Sequence, residues 1–311
     1  MYVSVFILFS FEGMSQDFSD PVVYNNFVIN EQNALINRGL DYIAFSIHSS
    51  DLKAIEKKRL ETIQEIRKSM GKIRRLPLFE GSARLKNQTI NVFSMYLKTY
   101  ETDILYTLSL KRKYDNSYEA LAAYFKSEKE VEDKMSKAIA KLSRAQEAFA
   151  RRNGIVFDEA PTGAIESRAG LVNNLSEYSR GLFLEYFVVS RAFNDMVAVL
   201  SERDGQILDK KRKVVIKKAE SALERLNMAQ PFNNNSEYLD QTIDIIQYFN
   251  GLCKKEFRQI VKLYNKPSLT ENEATFINKT FNDYNANIET LVYNWTLANK
   301  YLWSNNVGVS Q

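Results

Sequence analysis

The chain has few of the residues that interrupt or cross-link a polypeptide. Across 311 residues there are 5 prolines, 11 glycines, one cysteine and one histidine. Scarce proline and glycine mean few tight turns and long uninterrupted elements, which favours helices. The lone Cys253 excludes an internal disulfide, leaving only an intermolecular one through that thiol. With a single histidine, His48, and a single cysteine, ordinary zinc ligation and the paired Glu-x-x-His sites of di-iron bundles are excluded. No Asp-rich loop has the spacing of a calcium site. Neither sign of charge dominates, since 42 Lys and Arg stand against 38 Asp and Glu, a net charge of +4. That balance gives only a weak pull toward anionic partners. No apolar run is long enough to cross a bilayer as a helix.

Apolar residues make up 45% of the chain, enough for a sizeable core in one or two domains. They recur at helical spacing. Asp20 before Pro21 is a capping residue followed by proline at a first helical position. Ile29, Ile36, Leu40, Ile43 and Ile47 then share one face. A second helix carries Leu52, Ile55, Ile63, Ile66, Met70 and Ile73. A third carries Ile90, Phe93, Leu97, Tyr100, Ile104 and Leu108 without a break. A fourth carries Val131, Met135, Ile139, Leu142 and Phe149 and stops at Asn153-Gly154.

The plan then repeats. "FEGSARLKNQTI" begins at Phe79, and "FNNNSEYLDQTI" begins at Phe232, an offset of 153 residues. "EKKR" at Glu56 to Arg59 falls on "DKKR" at Asp209 to Arg212, and Asp51 falls on Asp204. The apolar faces stay in register without a gap over roughly 130 residues, which a single insertion would destroy. Thr270 and Glu273 form a capping box that opens the last helix. The expectation is an all-α protein of two tandem four-helix units, 20–157 and 168–307, joined by a linker at 158–167. They would be arranged as antiparallel bundles or as a short helical solenoid. The paired turn reads as a hinge. Gly81 and Asn234 both tolerate a tight turn, and Ser82 and Asn235 both cap. A phosphate cradle would need the glycine and the basic residue in both copies, and the second copy has neither.

"MYVSVFILFSF" has the length of a signal-peptide core, and the small residues Gly13 and Ser15 follow it. A secretory signal over 1–15 is expected, although no basic residue precedes the apolar run. Catalytic constellations are harder to find. A nucleophile–histidine pair would have to use His48, which suits the C-terminal end of the first helix instead. Cys253 aligns with Tyr100 on a core face and reads as a small buried thiol. Nothing singles out a pair of carboxylates. The strongest charge feature is basic. Lys57, Lys58 and Arg59 on the second helix recur as Lys210, Lys211 and Arg212. Two such faces suit a polyanion, whereas the interleaved Glu56, Glu61 and Asp209 suit a solvated face with helical ion pairs.

Three stretches, "DPVVYNNFVINEQNALI" from Asp20, "LPLFEGSARLKNQTINVFSMY" from Leu76 and "RAQEAFARRNGI" from Arg144, together resemble a poorly characterised family of helical bacterial surface or envelope proteins. Some of that family are known as surface lipoproteins. The resemblance covers mainly the first half and implies an exported, non-enzymatic protein that binds partners. A lipoprotein carries Cys directly after its signal; here Gln16 stands there, which argues against a lipid anchor. The expected function is therefore a non-catalytic exported protein of the bacterial envelope or surface, acting by protein binding or scaffolding. It would use no metal and no cofactor. The alternative is binding of an anionic glycan, lipid surface or nucleic acid through the six basic residues, with nucleic acid disfavoured by export.

Overall fold

The computed structural model describes residues 17–49, 51–114, 117–156 and 163–307, without the side chains of residues 44, 47, 48 and 163–168. The expected signal segment and the first part of the expected linker lie outside them, as does the His48 side chain. The protein is all-α. Among the described residues there is no strand, only the two isolated bridges Phe79–Ser82 and Phe232–Asn235. The helices are α1 (Pro21–His48), α2 (Leu52–Arg75), α3 (Arg84–Lys98), α4 (Ile104–Lys111), α5 (Tyr118–Arg152), α6 (Gly163–Val197), α7 (Gly205–Met228), α8 (Glu237–Lys254), α9 (Glu256–Tyr264) and α10 (Glu271–Val307). The helix expected to run unbroken through Tyr100 is interrupted. A π-helical turn, Thr99–Asp103, separates α3 from α4.

Contacts divide the chain into two compact units. One comprises the chain up to Tyr42, Asp51–Leu108 and Ser127–Glu166; the other comprises Ile43–Ser50, Ser109–Lys126 and Ser167–Gln311. In the first unit Ile55, Ile63, Ile66, Met70 and Ile73 bury one stripe of α2, as helical spacing requires. Its core also holds polar groups. Glu31 on α1 accepts from Ser69 Oγ at 2.7 Å and Lys72 Nζ at 2.6 Å, and Gln146 Nε2 on α5 donates to Gln32 Oε1 at 2.9 Å. These bonds offset part of the desolvation that would otherwise exclude such residues from a core, while Gln32 Nε2 and Gln146 Oε1 stay buried without a hydrogen-bond partner among the described residues.

In the second unit Phe193 packs on Phe249 and Phe257, with centroids 4.6 and 5.6 Å away. Both tryptophans are buried with their indole N–H satisfied. Trp295 donates to Thr242 Oγ1 at 3.0 Å and Trp303 to Ser179 Oγ at 3.1 Å. Leu121, Tyr124 and Phe187 form a further cluster in this unit, with Tyr114, Phe125 and Phe183 against it. That cluster draws the start of α5 into the second unit.

Local geometry recurs at the 153-residue offset. Asp51 and Asp204 each cap a helix, accepting two backbone N–H groups at 2.8 to 3.0 Å. Phe79 and Ser82 exchange backbone hydrogen bonds across a turn in which Glu80 (φ 47°) and Gly81 (φ 77°) are left-handed. Asn233 (φ 48°) and Asn234 (φ 62°) repeat that conformation before Asn235. Asn153 and Asn306 each donate Nδ2 at 2.8 Å to the carbonyl four residues back. The π-helical turn has its counterpart in the break between α8 and α9, where Lys255 departs from helical geometry (φ −110°, ψ −82°).

Candidate functional site

The six basic residues singled out in the sequence separate into two kinds. Arg59 and Arg212 are only 5% and 9% exposed. Arg59 Nη1 donates to the carbonyl of Tyr100 at 2.6 Å, while Nε and Nη2 hold Glu56 at 2.8 and 2.7 Å. Arg212 Nη1 donates to the carbonyl of Cys253 at 3.0 Å, while Nε and Nη2 hold Asp209 Oδ1 at 2.9 and 2.6 Å. Each guanidinium meets a carbonyl where its helix is interrupted, and so supplies a donor where the regular helical ladder falters. These two arginines are therefore withdrawn from the expected polyanion face, because each is buried with Nε, Nη1 and Nη2 all bonded within the protein. Lys57 and Lys210 remain exposed, and Lys58 and Lys211 are half-buried. Asp209 sits below the usual carboxylate range, chiefly through its bond to Lys213 and also through Arg212. Glu56 holds Arg59 more firmly charged than usual.

Cys253 is buried, with Sγ 3.8 Å from Met196 Sδ, and burial pushes its thiol up to about 12. A thiol so rarely ionised is a packing group rather than a nucleophile. Among the described residues no group of three or more His, Cys, Asp or Glu is placed to hold a metal ion. No described helix is long and apolar enough to cross a membrane.

A different set of cations does converge, in the first unit. The turn after α2 drives Phe79 inward, where its ring meets Phe149 at 4.9 Å and Tyr24 at 5.3 Å. Tyr24 stacks on Phe149 at 5.7 Å and donates its hydroxyl to Pro77 O at 3.0 Å. This trio is the floor of a cavity of about 420 Å³. Arg84 reaches its rim from the first turn of α3, and Lys141, Arg144 and Arg152 from the last turns of α5. Ala145 and Ala148, on the same side of α5, keep the space open. The four cations are exposed, and none has an ion-pair partner among the described residues. Glu80 is the only acid in the lining among the described residues. The N-terminal end of α3 adds partial positive charge, while the C-terminal end of α5 opposes it and is offset by Arg151 and Arg152.

The equivalent place in the second unit differs. The positions of Arg84, Lys141, Arg144 and Arg152 are taken by Glu237, Asn294, Leu297 and Asn305. What remains there is an open depression lined by asparagine, serine, glutamine and the acids Glu237 and Asp240. The basic cavity is thus no by-product of the shared turn. It was not anticipated from the sequence, where the turn before Arg84 reads as a hinge and none of the four cations is singled out. The readable signal is Arg144 and Arg152, eight residues apart on one helical face, with alanines between them.

Comparison with protein-family models, with curated proteins and with solved structures returns no match. The fold and site define an all-α helical protein with a basic cavity in its first unit.

Proposed function

We propose that this chain is a non-catalytic, exported helical protein of the bacterial envelope or surface that acts by binding or scaffolding. One observation carries this reading. The side chains with the most chemistry to offer are built into the cores: Cys253 packs on Met196, and Arg59 and Arg212 support interrupted helices. Cations left without ion-pair partners instead face solvent around a cavity, an arrangement suited to recognition. Export rests on the apolar segment before Gln16 and on the family resemblance. The recurring caps, turns and arginine supports favour an origin by tandem duplication, with binding specialised in the first copy.

Fractionation with N-terminal sequencing of the mature protein tests export. An envelope fraction beginning near Gln16 is expected, and an intact Met1 in the cytoplasm would remove the claim. A pull-down from envelope extract tests binding, with a discrete retained partner expected and none retained counting against it. The second reading is a polyanion surface along α2 and α7, favoured by the matching exposure of Lys57 and Lys210. It predicts salt-sensitive heparin or vesicle binding that falls when Lys57, Lys58, Lys210 and Lys211 are neutralised.

A further inference from the structure

We propose that the cavity bounded by Arg84, Lys141, Arg144 and Arg152 is a binding site for a phosphate ester carried on a compact, partly apolar group such as a sugar. The inference goes beyond a general binding role and holds whatever the compartment.

Four cations gathered at one rim repel one another unless an anion joins them, and like charges at helical spacing are destabilising. Lys141 and Arg144 are three residues apart on α5, and Arg152 lies a further eight residues along the same face. Some exposed cations elsewhere in this protein are matched within the chain, as Arg67 is by Glu101, Lys134 by Asp103 and Arg225 by Glu185. Among the described residues Glu80 alone offers a carboxylate at the cavity, and it makes no ion pair with any of the four. Four cations against the single carboxylate of Glu80 leave a net charge of +3 in the lining, and a phosphate monoester offsets about −1.5 to −2 of it near neutral pH. Arginines suit it further, because the guanidinium fork matches phosphate oxygens two at a time.

The size and floor of the cavity select the rest of the ligand. A bare ion would leave most of about 420 Å³ unfilled. The floor is aromatic, with Phe149 half-exposed above the buried rings of Tyr24 and Phe79. Such a surface takes the C–H face of a sugar ring. Gln88, which also lines the cavity, adds an amide for a hydroxyl. An extended polyanion fits less well, since it needs a groove that follows many phosphates. The second unit provides a natural control, because the same turn there carries Glu237 and Asp240.

A phosphate joined to a polyol is found as a monoester on a free hexose phosphate and, as a diester with one negative charge, on a phospholipid headgroup, and the experiment separates these sources. Glucose 6-phosphate is titrated calorimetrically into the full chain, with glucose as the uncharged control. In parallel, the protein is sedimented with phosphatidylcholine vesicles with and without phosphatidylglycerol. Saturable binding of glucose 6-phosphate and none of glucose is expected, weakening as salt rises. The double variant Arg84→Gln/Arg144→Gln should bind at least tenfold more weakly, whereas Lys57→Gln/Lys210→Gln should bind as the parent does. Lys141→Gln gives a second, independent variant, and circular dichroism melting verifies that each protein folds. Sedimentation with anionic vesicles alone, lost in the same cavity variants, would assign the ester to a headgroup and still support the site. Binding of neither probe, equal binding of glucose, or binding unchanged in the cavity variants would overturn the proposal. None of these results bears on export or on a protein partner, so the broader reading stands or falls separately.

Discussion

Replacing Arg59 by methionine keeps the unbranched apolar stem and removes every donor. Three hydrogen bonds disappear, one to the buried carbonyl of Tyr100 and two to Glu56. A bond from a charged donor to a buried acceptor contributes about 1.5 to 3 kcal/mol. The pair with Glu56 contributes less, about 0.2 to 1 kcal/mol, the range of exposed pairs. The reason is that the Glu56 side chain is 34% exposed and turns to water once its partner is gone. The cost should therefore stay below the 3 to 5 kcal/mol typical of breaking a fully buried pair. Relief of the arginine's own desolvation offsets part of it. The expected net loss is about 2 to 3 kcal/mol, which moves a urea midpoint by about 1 M for slopes of about 2 to 3 kcal/mol per M, the upper part of the usual range, since slopes grow with chain length. Arg67→Met is the matched control. Its partner pair with Glu101 is 62% and 38% exposed, and its removal should cost within about 0.5 kcal/mol. Hydrogen exchange adds a local readout: amides around Thr99–Asp103 should lose protection in Arg59→Met before those of distant helices. Equal midpoints for the two variants, or no local change in exchange, would refute the role given to Arg59.

Other outcomes follow from the same structure. Gly205→Ala should destabilise by about 1 to 3 kcal/mol, because the added Cβ would lie 2.8 Å from the backbone oxygen of Val261; a rise in melting temperature, as helix propensity alone predicts, would contradict this. Cys253 should resist a soluble thiol reagent in the native protein and react fully in denaturant, since its thiol is buried with its pKa near 12; rapid native labelling would remove its assignment as a packing group. Thr270→Ala should cost about 1 kcal/mol, because Thr270 Oγ1 accepts the Glu273 N–H at 3.3 Å and Glu273 returns a bond to Thr270 N–H at 2.9 Å. Asp209 has a folded pKa below its ordinary 3.8, so its contribution is complete above that value and disappears as pH falls through the lower folded one. Asp209→Asn should accordingly flatten the loss of stability below about pH 4; an unchanged acid limb would count against the bond to Lys213 and Arg212.

The helices were legible because their apolar spacing is strict. Ile55, Ile63, Ile66, Met70 and Ile73 point to one face of α2 in sequence and are buried there. The α5 stop at Asn153-Gly154 is likewise where the helix ends, with Gly154 left-handed (φ 65°). The interruption after Lys98 was not legible. A π-helical turn leaves the hydrophobic period almost intact, and its support, Arg59, comes from 41 residues away. Arg59 was nonetheless misplaced for a correctable reason. It lies four residues after Ile55 and four before Ile63, on the apolar stripe itself, and a charge at such a position signals a buried partner rather than a solvated face. Arg212, between Leu208 and Val215, carries the same signal. Glu31, Gln32 and Gln146 escaped notice because a polar core depends on partners from other helices, which no local pattern encodes. The basic cavity was hidden similarly, since Arg84 and Arg144 are brought together only when α3 and α5 meet around the aromatic floor.

The central claim is a division of labour among arginines, with buried ones supporting the fold and those around the first unit's cavity binding an anionic ester. Side-chain Nε–Hε resonances of arginine, followed by NMR during a glucose 6-phosphate titration, report on both at once. The account predicts saturable shifts for Arg84, Arg144 and Arg152, with Arg59 and Arg212 protected from exchange and unmoved. Shifts at Arg59 or Arg212, or none at the cavity arginines at saturating ligand, would contradict it.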